Sequence, residues 1–275
     1  IANEKARDIA GQDYIMRQTQ HLAQKAANFR AAMVAGMLRD SLYIHEDGDD
    51  WYFSFTSASA LAQINFQMPS GNKDQLDMLG AGDIIDVSWD NPSADIPSHL
   101  GNIDAAFQQL YGGRLENVLI TSAVWQNIIK NDHVGAQAGI ANSPFRLFER
   151  FVGTKLDGSP RTESVGELTC RPGVSFYITD EGLDIGTQGS ETYTKYVGSN
   201  NAIFMPSPDT TDVYSLQIGS EPIAEYDGGP ESVKSGFAAW SNKSSNPTGT
   251  NLFVLDNSLA INHIPASTAY GTVVF

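Results

Sequence analysis

Apolar residues recur at helical spacing near the start of the chain. Ile15, Leu22, Ala26, Phe29, Met33 and Met37 are separated by 7, 4, 3, 4 and 4 positions, which places them on one helical face. Arg17, Gln24, Asn28, Arg30 and Arg39 supply the polar side, and Asp13 is a plausible N-cap. The pattern predicts a helix over 14–41, about 42 Å long at 1.5 Å per residue. Gly36 interrupts it, which signals either a close packing contact or a bend. The period then changes. Leu42-Tyr-Ile44 and Trp51-Tyr-Phe-Ser-Phe55 are rich in strand formers and flank the turn signal Asp47-Gly48, so a hairpin over 42–68 is expected.

A second helical pattern follows Asp95, a candidate N-cap: Ile96, Leu100, Ile103, Phe107 and Leu110 are spaced 4, 3, 4 and 3, and Gly112-Gly113 end it. Val118 to Thr121 reads as a buried strand, and Ser122 as the cap of a helix with Val124, Trp125, Ile128 and Ile129. Residues 131–143 and 153–166 read as surface loops, with a short helix from Phe145 to Phe151 between them. From Val174 the chain reads as strands at 174–179, 193–197, 202–205, 213–218, 235–240, 251–255, 259–264 and 271–275. Helices early and strands late define an α+β chain.

Composition narrows the function. The 275 residues are 41% hydrophobic, enough for a sizeable core. No apolar run approaches the roughly 18 residues of a membrane span. Seventeen Lys and Arg stand against 32 Asp and Glu, a net charge of −15, which argues against direct nucleic-acid binding and is compatible with a wall that does not stick to phosphates. Cys170 is the one cysteine, so neither an internal disulfide nor a cysteine zinc site is available. We read it as inert, and weakly as a sign of a reducing compartment. The chain opens on Ile1 rather than Met, so residues preceding it are expected in the full protein.

Candidate chemistry is sparse. His21, His45, His99, His133 and His263 form no HxxxH or HExxH pair and are expected on the surface or in loops, without a metal. Glu46, Asp47, Asp49 and Asp50 are the densest acidic group; their spacing is not that of a calcium loop, so they read as a charged hairpin tip able to meet a basic patch on a neighbouring subunit. Nucleotide-binding, serine-hydrolase and kinase motifs are absent. No catalytic residue, cofactor or metal is expected. Trp51, Trp89, Trp125 and Trp240 could stack on sugars, although such rings are more often core.

The ordered features carry a resemblance. The long helix ending Met33-Val-Ala-Gly-Met-Leu38, the run Trp89-Asp-Asn-Pro-Ser-Ala-Asp-Ile96, the unit from Asn117 to Val134, the segment Tyr193 to Pro206 and the final strands 251–275 together resemble the major capsid proteins of tailed bacteriophages, most closely the lambda-type head protein group. The resemblance implies a Hong Kong 97-type capsid fold, with a spine helix at 14–41 in a peripheral lobe (1–90), an axial α/β lobe (91–225) and return strands (226–275). The family's N-terminal arm and extended loop are expected upstream of the 13 residues that precede the spine helix. The implied function is a non-enzymatic shell subunit that self-assembles into pentamers and hexamers around double-stranded DNA. Its implied partners are a portal, a scaffold and a decoration protein, and its implied location is the virion, assembled in the bacterial cytoplasm. Candidate subunit contacts are Glu46, Asp47, Asp49, Asp50 and His133, with Asp256, Asn257 and Ser258 near local threefold axes. Loops 131–143 and 153–166 are candidates for capsomer centres. An encapsulin-like compartment shell and a monomeric β-rich carbohydrate-binding protein are the alternatives.

Overall fold

A computed structural model describes residues 2–48, 50–137, 143–154, 160–186, 189, 191–206, 213–223, 232–235, 237–245 and 248–275. Helix α1 spans Ala2–Leu38 and leads to strands β1 (Ser41–Asp47), β2 (Asp50–Ser54), β3 (Ala62–Asn65) and β4 (Lys73–Asp74). Helix α2 (Ile96–Tyr111), strand β5 (Asn117–Ile120), and helices α3 (Ser122–Ile129) and α4 (Asp132–Gln137) follow. Then come β6 (Phe145–Thr154), β7 (Pro160–Leu168), β8 (Ser175–Ile178), β9 (Gly182–Ile185), β10 (Thr192–Lys195) and β11 (Asn201–Met205). The last strands are β12 (Tyr214–Ile218), β13 (Ser220–Ile223), β14 (Ser232–Ser235), β15 (Phe237–Ser245), β16 (Thr248–Asp256), β17 (Ser258–Asn262) and β18 (Ala269–Thr272). The chain is α+β, as the order of its patterns predicts.

Helix α1 is longer at its start than the expected 14–41 and ends earlier. Asp13 lies inside the helix, not at its cap, and Ser41 already belongs to β1. The last turn closes with the Arg39 N–H on the carbonyls of Ala35 and Gly36, and Asp40 then takes a left-handed φ of 84° that turns the chain into β1. Asp tolerates this conformation better than most residues with a side chain. Gly36 is a packing contact: a Cβ there would lie 2.8 Å from the Leu42 Cβ. Gly36→Ala is therefore expected to lower stability by about 1–3 kcal/mol through overpacking, read from a urea unfolding curve. A cost near zero would mean that Leu42 moves aside freely.

Strand β1 pairs antiparallel with β2 and β3 in one three-stranded sheet, order β2-β1-β3. The main sheet has seven strands in the order β4-β18-β11-β5-β8-β7-β6. Its hydrophobic face carries Val118, Phe176, Phe204 and Ala269, which cluster with Ile96, Leu100, Ile103 and Phe107 of α2 and with Val124, Trp125 and Ile128 of α3. Asp95 caps α2 by accepting the Ser98 N–H at 3.2 Å, and Gly112 closes it in the left-handed conformation. The Ser98 hydroxyl holds the Asp95 carboxyl below the usual carboxylate range. Helix α3 is capped by Thr121 rather than by the expected Ser122; the Thr121 side chain accepts from the Val124 N–H.

Three further expectations are corrected here. Residues 145–151 form a strand, not a helix, and the expected loop 153–166 contains most of β7. Phe145, Leu147, Glu149 and Phe151 alternate along β6 and pair with Leu168, Gly166, Ser164 and Thr162. Trp125 lies where Gly166 has no side chain: a Cβ there would come within 2.4 Å of the indole. The indole also meets Phe145 edge-on at 5.9 Å and Phe176 at 5.7 Å. Of the expected loop 131–143, residues Asp132–Gln137 form α4, and 138–142 lie outside the described residues.

The chain forms two compact units. One comprises Ile1–Val34 and Ser215–Ile261, the other Ala35–Tyr214 and Asn262–Phe275. In the first, Arg30 of α1 grips Asp256 with two hydrogen bonds of 2.6 and 3.0 Å, and the Ala260 N–H meets the Met33 sulfur at 3.4 Å. This unit also holds the strand pairs β13-β14 and β15-β16. The second unit holds the seven-stranded sheet and its core. Arg39 anchors the end of α1 there, 4.3 Å from the Phe55 ring centre and 5.0 Å from that of Tyr270, while donating to the carbonyls of Lys195 and Tyr196.

Candidate functional site

Glu46 and Asp47 are exposed at the end of β1, Gly48 turns with φ of 65°, and Asp50 pairs across the ladder with Asp47. Asp49 lies outside the described residues. Trp51, opposite Glu46, is 64% exposed. The sequence-predicted acidic tip is therefore a hairpin end with a large aromatic ring beside it.

The same hairpin hides a feature the sequence reading missed. His45 is buried, contrary to the surface position expected of it. Its ring stacks on Tyr52 at 5.0 Å, and its Nε2 lies 2.7 Å from the Ser54 hydroxyl and 3.2 Å from the Thr56 carbonyl. With Asp47, Ala58, Ile185, Gly186, Thr192 and Thr194 these residues line an open, mostly polar cavity of about 340 Å³. The His45–Ser54 spacing is that of a base and a nucleophile. The hydroxyl, however, also accepts the Thr56 N–H and lies 3.1 Å from the Thr56 carbonyl, a local turn that fixes it in place. The arrangement is that of a structural network. The Ser54-x-Thr56 spacing was the available signal for it.

His99 is likewise buried rather than on the surface. The Trp89 Nε1–H donates to His99 Nδ1 at 3.1 Å, so the ring proton sits on Nε2, which faces Asp86 at 2.9 Å. Trp89 and Trp125 are 1% and 3% exposed, which makes them core rings and removes them as sugar platforms. The Trp240 side chain is outside the described residues. Burial pushes the half-buried Cys170 thiol up, which keeps it protonated and weakly nucleophilic. Among the described residues, no three His, Cys, Asp or Glu side chains are grouped to hold a metal, and no helix is long and apolar enough to cross a membrane.

The turn at Asp256, Asn257 and Ser258 is engaged within its own unit. Asp256 holds Arg30 and accepts the Ser258 hydroxyl at 2.8 Å, and the Asn257 carbonyl accepts the Gly219 N–H at 2.7 Å. His133 is half-buried on α4. The structure thus brings Asp256 and Ser258 together with Arg30, and Glu46 together with Asp47 and Trp51.

Two exposed surfaces had no sequence-stated role. On α1, Tyr14, Arg17, His21 and Lys25 are all exposed, with Tyr14 at 64%. On β6, the last strand of the main sheet, Leu147, Phe148 and Phe151 are 56%, 44% and 63% exposed. A strand edge flanked by exposed apolar side chains is a surface built for contact.

No family model matches the sequence, and no curated protein does. The fold does have relatives among solved structures. A prophage protein of E. coli CFT073, assigned as its capsid protein, superposes with a TM-score of 0.52 at 10% identity, over 92% of this chain. The chain spans 64% of that protein's length. A phage-related protein of Bordetella bronchiseptica RB50 aligns over 75% of this chain and 57% of its own at 8% identity, with a TM-score of 0.39. The fold is thus one that this prophage protein also adopts.

Proposed function

We propose that this chain is the major capsid protein of a tailed bacteriophage or prophage. It is a structural subunit, not an enzyme. It self-assembles into pentamers and hexamers that tile an icosahedral shell around packaged double-stranded DNA. The observation that carries this reading is the capsid-like fold running through 92% of the chain. The ordered sequence motifs support the finer placement, a Hong Kong 97-type fold in the lambda-type head protein group. In that placement α1 is the spine helix of a peripheral lobe (1–90), residues 91–225 form the axial lobe, and the strands of 226–275 return to both.

Many weak, repeated contacts act together in such a shell through symmetry. The net charge of −15 suits a wall that encloses DNA without adhering to it. A portal, a scaffold and a decoration protein are the expected partners, and the virion, assembled in the host bacterial cytoplasm, is the location.

The test is particle size. Full-length protein, expressed with its scaffold, is examined by light scattering and negative-stain imaging. Closed shells tens of nanometres across are expected, and DNA inside them separates a virion from a cargo compartment. A stable monomer under every condition would overturn the reading.

A further inference from the structure

Charge is divided along the start of the chain. From Tyr14 to Arg39 there are four Lys or Arg and no Asp or Glu; from Asp40 to Asn72 there are five Asp or Glu and no Lys or Arg. In a chain with nearly twice as many acids as bases, a stretch of helix without a single carboxylate stands apart; the exposed Asp13, four residues before Arg17 on the same row, marks where it begins.

The structure shows which of these charges are already used. Arg30 is bound to Asp256, and Arg39 lies between the rings of Phe55 and Tyr270. Asp40 is bound to Lys73. What remains on the helix is Arg17 and Lys25, both exposed, and among the described residues neither is in an ion pair. With His21 they are spaced four residues apart and form one line along α1, headed by the exposed Tyr14. What remains on the acidic side is the β1–β2 hairpin, with Glu46 and Asp47 exposed and Trp51 64% exposed.

We propose that the line Tyr14, Arg17, His21 and Lys25 on α1 of one copy receives the acidic hairpin tip, Glu46, Asp47 and Trp51, of a second copy. The charges are complementary, and each chain carries both halves. The contact is therefore head-to-tail: a subunit that inserts its hairpin still offers its own helix to the next, as a ring or a continuing lattice requires. Trp51 and Tyr14 give the contact apolar area at its centre, and Trp51 can stack beneath a guanidinium or ammonium. Ile15 and Met16, 41% and 56% exposed, adjoin the line; exposed Tyr, Ile and Met suit a protein partner better than a phosphate backbone. The inference rests on the shell reading above for its biological setting, but it fails or stands on its own measurement.

The experiment compares four full-length proteins by sedimentation velocity at several salt concentrations, with imaging of any particles: the natural chain, R17E/K25E, E46K/D47K, and the four substitutions combined. All sites are exposed, and circular dichroism verifies that each variant folds. Each pair alone is expected to raise the concentration needed for association by about tenfold or more at low salt, since like charges then face each other. High salt narrows the difference, and the combined variant regains natural association. If either pair associates as the natural chain does, or if the combined variant is worse than both, the contact is overturned while the shell reading survives. If R17E/K25E loses only retention of duplex DNA, with association unchanged, the line is a phosphate contact and the proposal falls. If the natural chain never associates, both readings fall.

Discussion

Trp89→Ala is expected to cost about 3–5 kcal/mol of folding stability, the range for removing a large buried ring. Trp89 is 1% exposed and meets Phe204 edge-on at 6.2 Å, so its loss opens a void against the main sheet. It also strips His99 Nδ1 of its donor at 3.1 Å. Trp89→Phe separates the two effects. The smaller ring refills most of the volume but has no N–H, and the unpaired nitrogen is expected to cost about 1–3 kcal/mol. Urea unfolding followed by far-ultraviolet circular dichroism gives both numbers. A loss below about 1 kcal/mol for the alanine variant would mean that the core closes over the gap, contrary to its packing.

Asp40→Ala is expected to be nearly as damaging, for different reasons. The Asp40 carboxylate accepts the Met68 N–H at 2.7 Å, the Ser41 hydroxyl at 3.4 Å and the ammonium of Lys73. Its residue is 6% exposed, so the Met68 N–H is left without a partner when the carboxylate goes, at about 1–3 kcal/mol. Alanine must also hold the φ of 84°, at about 1–2 kcal/mol. Lys73 adds less, because its side chain is 33% exposed and solvent screens it. Asp40→Gly removes the backbone strain but not the lost bonds, and Asp40→Asn keeps an acceptor for Met68. The expected order of stability is therefore natural, Asn, Gly, Ala, measured by thermal unfolding. Equal melting temperatures for Gly and Ala would show that the left-handed conformation carries no cost here.

The legible parts of this fold are those whose signals are local. Helix α2 could be placed from its apolar spacing, Asp95 and Gly112, because cap and period are properties of neighbouring residues. The end of α1 was nearly right for the same reason, but its start was not. Residues 2–13 show no clear apolar line, although Ala2, Glu4, Lys5, Ala6 and Arg7 are good helix formers. Strand β6 was misread because Phe145, Phe148 and Phe151 also fit a helix. Its identity comes from β7, with Gly166 making room for Trp125, and that is a long-range fact. The acidic tip was legible as a cluster. The basic line on α1 was not, since its meaning depends on knowing that Arg30 and Arg39 are already occupied elsewhere. The burial of His45 and His99 was equally invisible, because it depends on Ser54 and Asp86 coming to meet them.

The exposed edge of β6 has a cost for the chain on its own. A strand with Leu147, Phe148 and Phe151 in solvent is a template for amyloid-like stacking and for precipitation during expression. Arg146, Glu149 and Arg150 are interspersed among these side chains and are exposed too, in the manner of gatekeepers that break up a sticky segment. The solubility of newly made chains then hangs on three charges over a few residues. Crowded chains are the ones at risk, because the chance that two such edges meet rises with concentration.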